Sequence, residues 1–564
     1  MPSQRTLAAL VAIALAVPQL SSAATIQVDS VVDVLADDGV CTLREAVIAA
    51  NSDAASGAAA GECVAGPGAD VIQVSAGTYV LAIPGAAEDA AVTGDLDLRT
   101  DMEIAGVGAA ATIVDAADLD RVFQVHAGAA VEIRDLTIRN GWALTPAPVR
   151  GGGLQNLGTL FLRRCLLTGN LSSGGFGSSP VGSGGAIHNA AGASLSVEDS
   201  SVSDNDCENA GGGILNEGIL VMNRSTIERN DAFRLLSLGG GGIYHSGGSA
   251  TISNSTFSRN RALGFGGAFG GAVSASAPMT LSHCTLTGND VPAQPPGFRG
   301  QSLSIGSATI TLVNTILDGD CSGLPAASLG GNVETIGDTC DLTDSSDQTN
   351  VPAAALGLGT LAANGGITPT HALAAASVAR DSAVGTTCLA TDQRGVTRPD
   401  GDSGGGGACD SGAFEFADCD ASGVDDGIEI SAGTLPDANG NLVPDACDTV
   451  RVEIDILPGS ERNPIRTGRR GLIPVAILGG EEFDVNGVDD STLVFGPAAA
   501  GPGHRGCPHP ADVNGDGLLD LVVHFPSRAA GITRGDLEAC VAGALLDGTP
   551  IEGCDGIAVA GASR

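Results

Sequence analysis

The sequence predicts an all-β protein whose main body is a solenoid, followed by acidic cation-binding loops and a small C-terminal β domain expected to be sandwich-like in layout. Three observations predict it. Between about residues 130 and 320 the pattern L-x-L-x-x-[small]-x-[apolar]-x-x-N recurs, with copies ending at Asn170, Asn205, Asn230, Asn260 and Asn289 and a last one at Asp320. The intervals of 35, 25, 30, 29 and 31 residues suit one supersecondary unit repeated as a coil. With 83 glycines and only 16% charged residues, the composition argues against long helices.

Within each copy, apolar residues alternate, as Leu160 with Leu162, Leu195 with Val197, Leu220 with Met222, Met279 with Leu281 and Ile310 with Leu312. That period of two marks a strand with one buried face. Leu167, Val202, Ile227, Phe257, Leu286 and Leu317 share a second register, three residues before the Asn or Asp, and should stack along the axis. The Asn column reads as structural, because Asn tolerates left-handed backbone and its amide can bond to the coils above and below. An earlier copy, with Ile133 and Ile138, brings Asn140 one residue closer and reads as an irregular coil. Glycine runs at 151–153, 184–185, 211–213, 239–242 and 270–271 precede Leu154, Ile187, Ile214, Ile243 and Val273, and permit a tight corner before the next strand.

These features resemble the right-handed parallel β-helix family over roughly residues 100 to 340. A solenoid needs capped ends, and both flanks carry motifs. Cys41-Thr42-Leu43-Arg44-Glu45-Ala46 is similar to the Cys-Ser-Leu-Arg-Glu-Ala motif that opens many exported bacterial β-helix proteins, with Thr42 replacing Ser. Asp392 to Pro399, followed by Cys409 to Glu415, resembles the closing segment of the same group, a choice-of-anchor domain. The resulting division is a signal peptide at 1–23, an N-terminal cap at 24–100, the β-helix at 101–340, its C-terminal cap at 341–416, a calcium-loop linker at 417–449 and a β domain at 450–564.

The N-terminus, with Arg5, an apolar stretch from Leu7 to Val17, and then Pro18 and small residues, has the layout of a secretory signal with cleavage expected after Ala23. The expected location is secreted or extracellular surface, with no membrane insertion after cleavage and no sorting motif read near Arg564. Fourteen cysteines without a C-x-x-C favour disulfides. Proximity in sequence suggests Cys41 with Cys63, Cys321 with Cys340, Cys388 with Cys409, and Cys419 with Cys447. Cys165 and Cys284 occupy one repeat position four coils apart, about 19 Å at ~4.8 Å per coil, too far to bond. All 27 basic residues are arginine, against 65 acidic ones, for a formal charge of -38. Nucleic acid is therefore excluded as a partner on electrostatic grounds, and the absence of lysine excludes Schiff-base chemistry.

The chemical signal is calcium. Asp418, Asp420, Ser422, Val424 (through its carbonyl), Asp426 and Glu429 fit a twelve-residue loop in which alternate oxygens and a final carboxylate wrap a hard cation. Asp437, Asn439, Asn441, Val443, Asp445 and Asp448 repeat the spacing, with Leu442 where Gly is expected. A third loop, Asp512, Asn514, Asp516, Leu518 and Asp520, lacks the closing Glu and resembles the loops of dockerins and integrin-type repeats. A dockerin is disfavoured because Ile430 to Pro436 cannot continue as the required helix.

No residue is assigned a catalytic role. Asp199, Asp204, Asp206, Glu208, Glu217, Glu228 and Asp231 read as a solvated face. His188 and His245, at related places after glycine runs, read as surface polar columns. Arg163, Arg164, Arg224, Arg229, Arg259 and Arg261 form either a basic stripe for uronates or sulfates or partners for the nearby acids. The expected function is adhesion, envelope structure or glycan binding, with an extracellular polysaccharide or a surface protein as partner. The alternative is a polysaccharide lyase or glycoside hydrolase using a groove along the β-helix.

Overall fold

The computed structural model describes residues 22–85, 88–143, 149–174, 181–233, 239–263, 270–292, 300–335, 337–399, 408–460, 462–466, 471–480, 483–503 and 509–560. Of the stretch expected as a signal peptide, residues 1–21 lie outside the described residues, as does Cys507. The chain divides into two compact units, 1–416 and 417–564.

The first unit is a right-handed parallel β-helix. Each coil visits its sheets in a fixed order, as in Leu154–Asn156, Thr159–Arg163, Leu166–Thr168 and Leu171–Ser172. Stacking these segments makes sheets of nine, eleven, ten and five strands respectively. Every pairing between coils of the described residues is parallel, and through the middle coils it is in register, so Leu160 lies on Leu195 and Leu167 on Val202. The predicted apolar columns point inward and are fully buried. At roughly 1.5–3 kcal/mol for each buried large aliphatic, their repetition supplies the main cohesion of a core with few aromatic rings. The parallel ladder begins upstream of residue 101: Ser22–Val28 pairs with Ala69–Val74, which pairs with Met102–Ala105. A cut after Ala23 would remove the first two residues of that strand and leave the pairs from Thr25 to Val28.

The Asn column is a buried amide ladder. Asn170, Asn205, Asn230 and Asn260 each donate from Nδ2 to Oδ1 of the next Asn, at 2.8, 2.9, 2.9 and 3.0 Å. Left-handed backbone is not their reason for being Asn. The positive φ belongs to the residue before, at Asp204, Arg229 and Arg259. Asn140, at φ 54°, takes that left-handed place in its own coil, leaving Gly141 to donate its N–H to Asn170 Oδ1. The small residue of the repeat is also a column: Cys165, Ser200 and Ser225 donate their backbone N–H to the hydroxyls of Ser200, Ser225 and Ser255.

The N-terminal end is closed by α1, Leu43–Ser52, which turns Leu43, Ala46, Val47 and Ala50 into the core. The motif residues build that closure. Thr42 and Glu45 form a reciprocal capping box, Cys41 bonds Cys63, and buried Arg44 pairs with Asp33 while also donating to the carbonyls of Ala91 and Gly94.

The segment expected as a C-terminal end cap does something different. Residues 326–351 close the end, but from α2, Ala353–Leu356, the chain runs back along the outside of the ten-stranded sheet. Gln393 bridges Thr226 (2.9 Å) and Thr256 (2.7 Å), His371 meets Ser258 at 3.0 Å, and Ala413 N–H donates to Thr285. Two fully buried ion pairs, Asp392–Arg394 and Arg398–Glu415, shape the strap. Short hydroxyl side chains on that face let a backbone approach closely, and this selects it as the docking face.

In the second unit, two four-stranded sheets share one apolar core that includes Ile456, Val475, Phe495, Val523, Phe525 and Val541. The predicted strands appear as Ile454–Ile456, Leu472–Ile477 and Asp520–Pro526. The four proposed disulfides are present, joined by Cys540–Cys554, which pairs directly across adjacent strands. Cys165, Cys207 and Cys284 are free and buried.

Candidate metal centre

The first acidic loop folds around a point. Asp418 accepts N–H bonds from Ser422 and Gly423, the latter at φ 84°, where a side chain would be strained. This turn brings carboxylate oxygens of Asp418, Asp420 and Asp426 within 4.8 Å of one another. Ser422 Oγ donates to Glu429 Oε2 at 2.8 Å and faces the Val424 carbonyl at 3.5 Å, so the fifth, seventh and twelfth positions converge as well. Helix α3, Asp426–Ser431, places Glu429 and is capped by Asp425. It stops after six residues, shorter than a paired-helix motif needs. Like charges held this close repel unless a cation sits among them, and an all-oxygen set of carboxylates, hydroxyl and carbonyl fits a hard ion such as calcium.

The second loop has the same turn. Leu442 takes the glycine place at φ 65°, and its N–H donates to Asp437 Oδ2. Asn439 and Asn441 donate from Nδ2 to Asp448 Oδ2 at 2.8 and 3.0 Å, so the loop closes on Asp448. Asp445 Oδ1 accepts Ala438 N–H, and the Val443 N–H donates to Asn441 Oδ1. The Oδ1 atoms of Asn439 and Asn441 accept the N–H groups of Asn441 and Val443, which fixes the orientation of both amides. The Cys419–Cys447 disulfide ties the two loops together.

The third loop keeps Asp512, Asn514 and Asp516 around a turn with Gly517 at φ 89°, and Leu518 N–H donates to Asp516. Asp520 closes this loop from beneath. It is fully buried, its two oxygens accept the N–H groups of Gly479 and Val513 at 2.9 and 2.7 Å, and it opens the strand Asp520–Pro526. It anchors the loop to the sheet.

On the solenoid, the arginines do not form a free basic stripe. Left-handed bends carry Asp135, Arg164, Asp199 and Arg224 in successive coils, alternating in sign. Arg164 grips both oxygens of Asp135 at 2.6 and 2.7 Å, and Arg224 both of Asp199 at 2.7 Å. The Arg164 bonds hold the Asp135 carboxyl below the usual range. Arg163 pairs with Glu198, Arg229 with Asp204 and Glu228, and Arg261 with Asp231. Glu208 is buried against the N–H groups of Gly174 and Gly182, and Asp206 stacks directly on Asp231.

The histidines are not equivalent. Asn189 and Asn216 stack with His245, whereas His188 stacks with Leu215 and Tyr244, one residue out of phase and on the other face. His245 ends a second buried ladder, Asn156 to Asn189 to Asn216, accepting from Asn216 at Nδ1 (2.8 Å) while Nε2 meets Pro278 O. His188 lies outside, at 2.9 Å from Glu217, which Arg150 also holds. Burial lowers the His188 pKa despite that carboxylate.

Of one polar column the sequence reading singled out only His188. Asp97, Gln124, Gln155 and His188 occupy the middle of successive three-residue strands and face outward in one column. The apolar-polar-apolar triplets Leu96–Leu98 and Phe123–Val125 carried that signal, but they are too short to stand out in a longer window.

A family model described as a right handed beta helix region matches residues 121–290, inside the parallel ladder. No curated protein matches the chain.

Proposed function

We propose that this is an exported, calcium-stabilised β-helix protein that presents its solenoid to an extracellular polysaccharide or a surface protein, as an adhesin, envelope component or glycan-binding stalk. The observation that carries the reading is the first acidic loop, in which Asp418, Asp420, Ser422, Val424, Asp426 and Glu429 supply alternating oxygens around one point. Modules of this kind suit the millimolar calcium found outside cells. Five disulfides agree with an oxidising compartment. The resemblance of Cys41 to Ala46 and of Asp392 to Pro399 to motifs of exported β-helix proteins adds to it. A binding role is favoured over cleavage because Asp199, Asp204, Glu217, Glu228 and Asp231 are held by arginine and Glu208 by backbone N–H groups, which makes them parts of a rigid charged surface.

The deciding experiment incubates chain 24–564, in calcium, with a panel of acidic and neutral polysaccharides, scoring retained protein and new chain ends together. Retention without cleavage is the expected result. New chain ends that vanish on an acid-to-amide change in one coil would overturn the binding role in favour of a lyase or hydrolase. Protease resistance of 417–564 that is identical with and without chelator would remove calcium from the account.

A further inference from the structure

The outward column of the nine-stranded sheet starts with a group that the calcium loops do not explain. Asp97 and Gln124 lie opposite each other in paired strands, and His126 follows directly. The chain at 88–94 folds over them. Glu88 accepts the N–H groups of Ala90 and Thr93, Ala91 N–H donates to Asp97 Oδ2 at 2.9 Å, and Arg44 of the capping motif holds the Ala91 carbonyl. One oxygen each of Asp89 and Asp97 and a ring nitrogen of His126 thereby come within 4.8 Å of one another. Asp97 is fully buried, His126 is partly so, and Asp89 is exposed, which leaves an entry from solvent.

The hydrogen bonds at this point converge on one ring nitrogen. Arg121 donates to Gln124 Oε1 at 2.9 Å, which turns the amide nitrogen inward, 3.3 Å from Asp89 Oδ1 and 3.1 Å from His126 Nε2. The amide thereby occupies the space between Asp89 and His126. The same Nε2 lies 2.8 Å from Asp97 Oδ1. A proton held between the two atoms satisfies both, and a metal ion can take the place of that proton. Nearby, Asp120 is 5% exposed and its Oδ2 is buried without a hydrogen-bond partner, while Asp95 shares Arg121. The local charge is thus negative and buried, a field that attracts a cation.

We propose that Asp97, His126 and Asp89 bind a divalent transition-metal ion of the zinc class, with one imidazole nitrogen and two carboxylate oxygens as ligands. Bonds of ~2.0–2.2 Å place such ligand atoms about 3–4 Å apart, which the cluster meets with small adjustments. A nitrogen ligand distinguishes it from the oxygen-only loops, because calcium prefers oxygen and zinc accepts both. Binding displaces the proton shared by Asp97 and His126 and moves the Gln124 amide out from between Asp89 and His126. The ion would staple the 88–94 segment to the coil beneath it.

The test is calorimetric titration of the full chain with Zn2+ in saturating calcium, together with the visible absorption of added Co2+. The expected result is Zn2+ uptake with proton release and a nitrogen-ligated Co2+ spectrum. Both should weaken at least tenfold in Asp97→Asn and in His126→Gln and stay unchanged in Asp418→Asn, so the outcome is independent of the calcium reading. Absence of Zn2+ binding overturns the proposal, as does binding that survives both substitutions, for example at His509 and His524, whose rings lie 6.5 Å apart. If Asp97→Asn lowers the melting temperature too far to be read, His126→Gln decides alone.

Discussion

Arg44 Nε and Asp33 Oδ1 meet at 2.6 Å in a site where neither side chain is more than 4% exposed. The second oxygen of Asp33 accepts the N–H groups of Ala82 and Ile83 as well as Arg44 Nη2, so one ion pair ties the capping helix to the first coils. Removing one partner strands the other charge in the interior, at about 3–5 kcal/mol. Arg44→Met should lower the urea midpoint accordingly, whereas Thr42→Ala, which removes only the helix cap, should cost about 1 kcal/mol.

The Asn ladder predicts a position effect. Asn230 accepts from Asn205 through both Nδ2 and backbone N–H and donates to Asn260 and to Val202 O. Asn230→Ala orphans donors on one side and an acceptor on the other, and at ~1–3 kcal/mol per buried orphan the loss should be about 2–5 kcal/mol. Asn156→Ala, at the start of the second ladder, leaves fewer groups unpaired and should cost less in the same denaturation experiment.

Acid should weaken the contact between strap and coils through His283. The ring is fully buried between Asn314 and Cys409, and burial, with the Arg398 charge second, pushes its pKa down to about 2. The native ring therefore stays neutral while the unfolded one takes a proton below its ordinary value near 6.5. Stability contributed by the neutral ring is complete above that pH and is lost as pH falls from about 6.5 towards 2, by up to ~1.4 kcal/mol per unit. His283→Asn should flatten the melting temperature between pH 7 and 5 relative to the wild type.

Calcium removal should separate the roles within the third loop. Asp516→Asn is expected to reduce calcium binding there and leave the calcium-free melting temperature of 417–564 unchanged. Asp520→Asn should lower that temperature even in chelator, because a carboxamide cannot accept both the Gly479 and the Val513 N–H groups. Differential scanning calorimetry with and without calcium reads both outcomes.

The strap offers a local test. Gln393→Ala removes the bridge to Thr226 and Thr256. Limited proteolysis should then cut within 352–416 at least several-fold faster while the coils resist, since the apolar columns beneath do not include Gln393.

Much of the solenoid was determined by the sequence alone. Inward columns such as Leu160 with Leu195, the Asn170 to Asn289 ladder and four disulfides follow from local alternation and from spacing. A residue's face in a strand is set by its position modulo two, and a coil repeats in space wherever it repeats in sequence. The turns of the acidic loops were legible for the same reason, their Asp, Asn and Gly residues being close in the chain. Only the tertiary structure decided whether Arg164 is a free cation or the partner of Asp135, that Asp520 anchors a sheet, that Gln393 crosses 137 residues to reach Thr256, and that Asp97 meets His126. Each of these depends on the path of a connecting segment outside the repeat. Periodicity specifies which side chains share a core, but a loop's course is chosen by the hydrogen bonds and charges it finds on the finished coils, which no short window of sequence contains.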